Sequence, residues 1–174
     1  AANTVIAVSQ FGGRAFYSGR VANDEMGRFY VDDLTQAGVT TNAAASLVPG
    51  VTGKCLVLVT RDADRTMNTF LGVSADVSPG DVDENAIQDS RYLYFEGYLV
   101  TSESSKSAAL FAKQRARARH TQVAISLSDP NIVNYFRSSV DELLHGGVDL
   151  LFANEDEAKC VARTDQLDQA VEHL

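Results

Sequence analysis

Tryptophan is absent from this 174-residue chain, and proline (three), cysteine (two), methionine (two) and histidine (three) are scarce. Each shortage narrows the reading. The cysteines, Cys55 and Cys160, stand far apart with no metal-ligand spacing, so two buried, reduced thiols are expected in place of a disulfide framework or a zinc site. His120, His145 and His173 are scattered and form no Ser-His-Asp constellation. Positive charge is also short: 15 Lys and Arg against 23 Asp and Glu leave a formal net charge of −8. That balance disfavours nucleic acid and anionic membrane surfaces as partners, because both are negative. A nucleotide needs only a locally favourable site and stays allowed. No apolar run approaches the ~18 residues of a membrane span, and no signal-peptide pattern is visible. The cytoplasm is the expected compartment.

What remains is a chain that is 45% hydrophobic, enough for a real core in one domain or a large part of one. Apolar periodicity predicts a helix over 2–10, closed by Gly12-Gly13, and a strand over 15–21. Asn23 or Asp24 can cap a helix that presents Met26, Phe29, Tyr30, Leu34 and Ala37 on one face and ends at Gly38. Two β-rich runs, 54–60 and 66–71, flank the turn-like Arg61-Asp62-Ala63-Asp64 and predict a hairpin. The second half alternates strands (91–95, 122–127, 148–152) with helices (103–119, about 130–145, and one from Glu155). Ser102 caps the first of these helices, Pro130 sits in the first turn of the second, and Ile132, Val133, Phe136, Val140, Leu143 and Leu144 share the second's apolar face. Such alternation implies a parallel sheet with right-handed crossovers, whose ligands bind beyond the carboxyl ends of the strands.

Three polar groups follow strands directly. Asn154-Glu155-Asp156-Glu157 begins a helix, where carboxylates complement the dipole. The alternative is that Asn154 and Glu157 organise hydrated magnesium, which prefers oxygen ligands and often keeps its waters. Glu96 lies in the apolar run Tyr-Leu-Tyr-Phe-Glu-Gly-Tyr-Leu and is costly to bury unless bonded. It either pairs with a nearby Arg or accepts hydrogen bonds from substrate hydroxyls, with Tyr98 beside it. Asp129 before Pro130 is explained as an N-cap, with a role near phosphate as the other reading. Gly50-Val51-Thr52-Gly53-Lys54 lacks the phosphate-loop spacing and precedes a strand, so it reads as a turn. Arg115, Arg117 and Arg119 make a basic helix end that is expected to be solvated.

Taken in order, these segments resemble the ribokinase (PfkB) family of carbohydrate and nucleoside kinases. The stretch Gly19-Arg-Val-Ala-Asn-Asp24-Glu-Met-Gly27 is similar to the family's G-x-V-G-x-D-x-x-G, with Ala22 replacing a usual Gly. Thr52-Gly53 and Arg65-Thr66 look like its T-G…R-T lid hairpin. Asn154 and Glu157 match its N-x-x-E motif, and Asn3 falls at the sugar-contacting Asn of its early glycine-rich element. Tyr92 to Leu99 and Val148 to Glu155 resemble the bacterial adenosine-kinase-like branch. Two departures stand out: eukaryotic adenosine kinases tend to lack a Glu at the position of Glu96, and they carry N-L-S-A-P-F where this chain has Ser126-Leu-Ser-Asp-Pro-Asn131.

The resemblance implies an α/β, ribokinase-like three-layer sandwich with a mainly parallel sheet and a small β lid drawn from about 14–21 and 54–71. It implies ATP and Mg²⁺ as cofactors and in-line transfer of a phosphoryl group to a hydroxymethyl of an adenosine-like nucleoside or a sugar. Asn3, Glu96 and Tyr98 would bind substrate, Asn154 and Asp129 would serve ATP or phosphate, and Glu157 would reach the metal through water. A sugar or ketodeoxy-sugar kinase is the neighbouring reading, helped by Asp129-Pro130-Asn131 and Arg137; a ligand-binding protein that kept only the fold is a third. The family's N-terminal strand and its catalytic Asp segment are expected outside these 174 residues, so the chain as it stands is expected to be inactive alone. Relatives often pair through the lid, so a homodimer is expected.

Overall fold

The computed structural model describes residues 2–43 and 47–174 as two compact units, Ala2–Asp81 and Val82–Leu174. Among the described residues, no helix is long and apolar enough to cross a membrane.

In the N-terminal unit, α1 (Ala2–Gln10) has no buried residue and closes where Gly12 takes φ +82° and the Gly13 amide returns to Val8 O. The strand expected over 15–21 shrinks to β1 (Phe16–Tyr17), parallel to β2 (Thr40–Thr41). Among the described residues, pairing resumes as the Ala22–Val48 bridge. Helix α2 (Glu25–Gln36) lies between β1 and β2 in sequence, capped by Asp24, which accepts from the Gly27 amide at 2.8 Å. Its expected apolar face is only partly covered: Leu34 is buried, but Met26 and Phe29 are 44% and 65% exposed. The buried position of its first turn is instead Gly27, where a Cβ would come 2.0 Å from Ala22 O.

β3 (Lys54–Val59) and β4 (Arg65–Phe70) form the expected antiparallel hairpin, in register from Lys54–Phe70 to Val59–Arg65. Both strands are exposed along their whole length. Cys55 is therefore exposed, against the expectation of a buried thiol, while Cys160 is half-buried and also free. Among the described residues of the unit, no layer covers the hairpin's apolar side chains.

The C-terminal unit holds the core. After the short helix α3 (Glu84–Gln88), β5 (Tyr92–Glu96), β6 (Gln122–Ser126) and β7 (Leu150–Phe152) form a parallel sheet in that order. Phe95, Val123, Ile125 and Leu127 pack with Val133, Val140, Leu143 and Val161 from the helices. Strand β7 begins two residues later than expected, because the Asp149 carboxylate takes the Val123 amide at 2.7 Å. Helix α4 (Glu103–Ala118), capped by Ser102, buries Ser105, Ala108, Ala109, Ala112 and Ala116, a stripe at helical spacing whose small side chains allow close approach.

The helix expected over 130–145 is two helices, α5 (Pro130–Tyr135) and α6 (Arg137–Leu144), parted at Phe136 (φ −114°, ψ 32°). Just past the break, the Arg137 guanidinium donates to the Cys160 and Val161 carbonyls at the end of α7 (Glu155–Ala162), which is followed by α8 (Leu167–His173). From α4, Lys113 donates to Leu143 O at 2.5 Å and His145 O at 3.0 Å, and Arg117 to the Gly146 and Gly147 carbonyls. Orphan carbonyls at helix ends are thus satisfied by cations from neighbouring helices. Arg115, Arg117 and Arg119 are all exposed, as expected of a solvated basic end, although Arg117 also caps and Arg115 pairs with Glu84 at 3.3 Å. Lys113 itself is buried, and desolvation, with Arg117 nearby, pushes its amine down to about 8.

Candidate functional site

Strand register sets the site. Glu96 pairs with Ser126, and Ser126 with Phe152, so β5, β6 and β7 end at one level of the sheet. Each strand then hands its chain to a polar turn: Glu96-Gly97-Tyr98, Leu127-Ser128-Asp129 and Ala153-Asn154. Five of the six site residues expected from sequence (Glu96, Tyr98, Asp129, Asn154 and Glu157) therefore gather on or just past one edge. Asn3, the sixth, lies exposed in the first turn of α1, in the other unit.

The β7 turn is a capping box. Asn154 Oδ1 accepts from the Glu157 amide at 2.8 Å, and the Glu157 carboxylate accepts from the Asn154 amide at 3.0 Å and from Asn154 Nδ2 at 3.1 Å. Glu157 is buried while Asn154 is exposed. One Asn154 amide proton thus stays available to a ligand, and each Glu157 oxygen keeps acceptor capacity. Among the described residues, no three His, Cys, Asp or Glu side chains gather as metal ligands.

The β6 turn is tight. Asp129 caps α5, its Oδ1 accepting from the Asn131 amide at 2.7 Å. Ser128 holds a left-handed conformation, φ +74°. Its hydroxyl accepts from the Gly97 amide at 2.9 Å, and its carbonyl accepts from the Tyr98 hydroxyl at 3.3 Å. Glu96 is half-buried at the end of β5. Below it, Tyr94 meets Phe152 edge to face at 6.3 Å across the sheet.

A second polar cluster occupies the N-terminal unit. The Asp24 carboxylate accepts from Thr52 Oγ1 at 2.6 Å and the Thr52 amide at 2.9 Å, besides Gly27; the Ala22 amide donates to Thr52 Oγ1 at 3.1 Å. The Thr52 hydroxyl and amide hold the Asp24 carboxyl down to about 2, with Gly27 contributing. The turn before β3 is thereby tied to the start of α2. Asp24 and Thr52 are 28 residues apart, so no local pattern joins their segments, and none marks Ser128. A positive φ at a serine has no local sequence signal. Arg137, which had favoured a ketodeoxy-sugar substrate, is occupied with the α7 carbonyls.

Comparison with known proteins agrees with this layout. The family model for pfkB family carbohydrate kinases matches residues 1–174. A 5-dehydro-2-deoxygluconokinase from Geobacillus kaustophilus (strain HTA426) is 30% identical over 129 residues, which are 72% of this chain and 38% of that protein. Probable fructokinase-4 from Arabidopsis thaliana is 27% identical over 133 residues, 75% of this chain and 40% of that protein. Among solved structures, the adenosine kinase from Sinorhizobium meliloti superposes with a TM-score of 0.94 at 36% identity, covering 99% of this chain and 53% of that one. A probable sugar kinase from Rhizobium etli CFN 42 gives 0.93 at 32% identity, covering 99% and 53%. The chain spans about half the length of these structures and less of the curated relatives.

Proposed function

We propose that this chain, a member of the pfkB family of carbohydrate kinases, forms part of an enzyme that transfers the γ-phosphoryl group of ATP to a hydroxymethyl of an adenosine-like nucleoside or a sugar. The observation that carries the reading is the common level of β5, β6 and β7, which puts Glu96, Asp129 and Asn154 at the carboxyl edge where parallel sheets bind ligands. In the reaction the acceptor oxygen attacks the γ-phosphorus, the bond to the ADP oxygen breaks, and the acceptor hydroxyl's proton passes to a general base. Catalysis of this kind rests on positioning and charge stabilisation.

Glu96 accepts hydrogen bonds from substrate hydroxyls, with Tyr98 alongside. Asn154 offers its remaining amide proton to phosphate, and Asp129 fixes the turn beside it. The donor set fits a hydrated magnesium ion better than a directly ligated one, since among the described residues no three acidic side chains are arranged to ligate a metal together. Glu157 would hold the ion through water. When bound, the ion neutralises phosphate charge beside Glu155, Asp156 and Glu157, where a bare triphosphate would be repelled.

A sugar or ketodeoxy-sugar acceptor is favoured by the likeness to the Geobacillus dehydrodeoxygluconokinase and to the Rhizobium etli probable sugar kinase. ATP consumption by the full-length protein with adenosine, fructose, ribose and 5-dehydro-2-deoxygluconate separates these acceptors; binding without turnover of any would instead support a protein that kept only the fold. Glu96→Gln in the full-length protein is expected to raise the KM for the acceptor about tenfold and leave that for ATP unmoved. Equal losses for both would remove Glu96 from the acceptor site.

The hairpin supports a partner proposal. Leu56, Leu58 and Val59 are 64%, 53% and 65% exposed, and a two-stranded ribbon is marginal in water by itself. A second copy of the chain covers it, as open strand edges pair readily. A monomeric mass for the full-length protein in solution would refute this.

A further inference from the structure

The turn after β6 holds a strained serine in contact with the segment that carries Glu96. Ser128 sits at φ +74°, a conformation uncommon outside glycine that persists where surrounding contacts over-determine it. Those contacts run in three directions. Its Oγ accepts from the Gly97 amide at 2.9 Å and donates to Ser126 O at 3.2 Å, so one hydroxyl bridges the ends of β5 and β6. Its carbonyl accepts from the Tyr98 hydroxyl at 3.3 Å. Gly97 is buried, with no room for a side chain: a Cβ would lie 2.4 Å from Leu127 O and 3.3 Å from Ser126 O. The residues on either side of Gly97 are the two that the proposed function gives to the acceptor.

We infer that Ser128 is a positioning residue, whose left-handed backbone and bridging hydroxyl set where Glu96 and Tyr98 present themselves to the acceptor. The assignment rests on the kinase reading for its consequence, and on the Gly97–Ser128 bridge for its geometry. A glycine at 128 accepts the backbone conformation without the hydroxyl, whereas an alanine keeps the strain and also lacks the hydroxyl. The two variants therefore separate strain from bridging.

In the full-length protein, Ser128→Ala and Ser128→Gly are each expected to speed hydrogen exchange of the Gly97 amide at least tenfold. Each is expected to raise the acceptor KM five- to twentyfold, with the KM for ATP unchanged and Ser128→Gly melting no lower than Ser128→Ala. Unchanged Gly97 exchange in both variants overturns the assignment. So does a loss of activity that merely follows the loss of folded protein, with both KM values fixed. A wild-type protein that phosphorylates nothing in the sugar and nucleoside panel refutes the kinase reading instead, and the Gly97 exchange then decides the bridge by itself.

Discussion

The β3–β4 hairpin and the β5–β6–β7 sheet are built from equally β-prone residues, yet they stand at opposite extremes of burial. In the hairpin every strand residue is exposed; in the sheet, Phe95, Val123 and Ile125 are at most 5% exposed. The hairpin answers to whatever covers it, while the sheet is held by its own helices. The residues proposed to bind substrate sit on the edge of that sheet.

The sharpest way to break this contrast is a paired truncation. Ile125→Ala removes a fully buried side chain and is expected to lower unfolding free energy by about 3 kcal/mol, read by denaturant unfolding. Next comes the cation capping that joins the helices behind the sheet. Lys113→Met leaves Leu143 O and His145 O without their donor and should lower stability by about 2 kcal/mol. Its pH dependence is specific. The folded amine titrates at about 8 against an ordinary 10.5, so between those values the unfolded chain binds more protons and stability rises with pH. Wild type should thus gain on the variant from pH 8 to 10.5; a constant difference would show that Lys113 is not desolvated.

At the root of the hairpin the same sign of pH dependence appears at acid pH. Asp24 titrates at about 2 folded against 3.8 in its ordinary state, so its tie to Thr52 is intact above pH 4 and lost as pH falls through 2. Faster exchange of the Thr52 amide toward pH 2, absent in Asp24→Asn, would show this; unchanged exchange would place the hairpin's anchor elsewhere. The smallest effect belongs to the hairpin surface. Leu58→Ala should change the stability of dilute protein by less than about 0.5 kcal/mol, and a change that grows with protein concentration would reveal the second copy.

Much of the C-terminal unit was legible in sequence because its signals are local. Asn154 and Glu157 are three residues apart and make their capping box unaided, and Asp129 with Pro130 announces α5. Errors arose where a pattern names a shared face without saying whether anything covers it. Met26 and Phe29 keep helical spacing with Leu34 but face solvent, and Cys55 lies in an apolar run yet is exposed. The single helix expected over 130–145 failed at Phe136, beside an Arg137 whose carbonyl partners lie 23 and 24 residues away.

By itself, the sequence determined element types, most helix caps, the hairpin and the order of strand and helix, because each depends on residues within about one turn or one loop of each other. Only the tertiary structure decided that Gly97 meets Ser128, 31 residues away, that Asp24 holds Thr52, 28 away, and that β5 to β7 end at one level. Those meetings follow from where the crossovers return the chain and which surfaces are buried together, and no spacing of residues along the sequence encodes either.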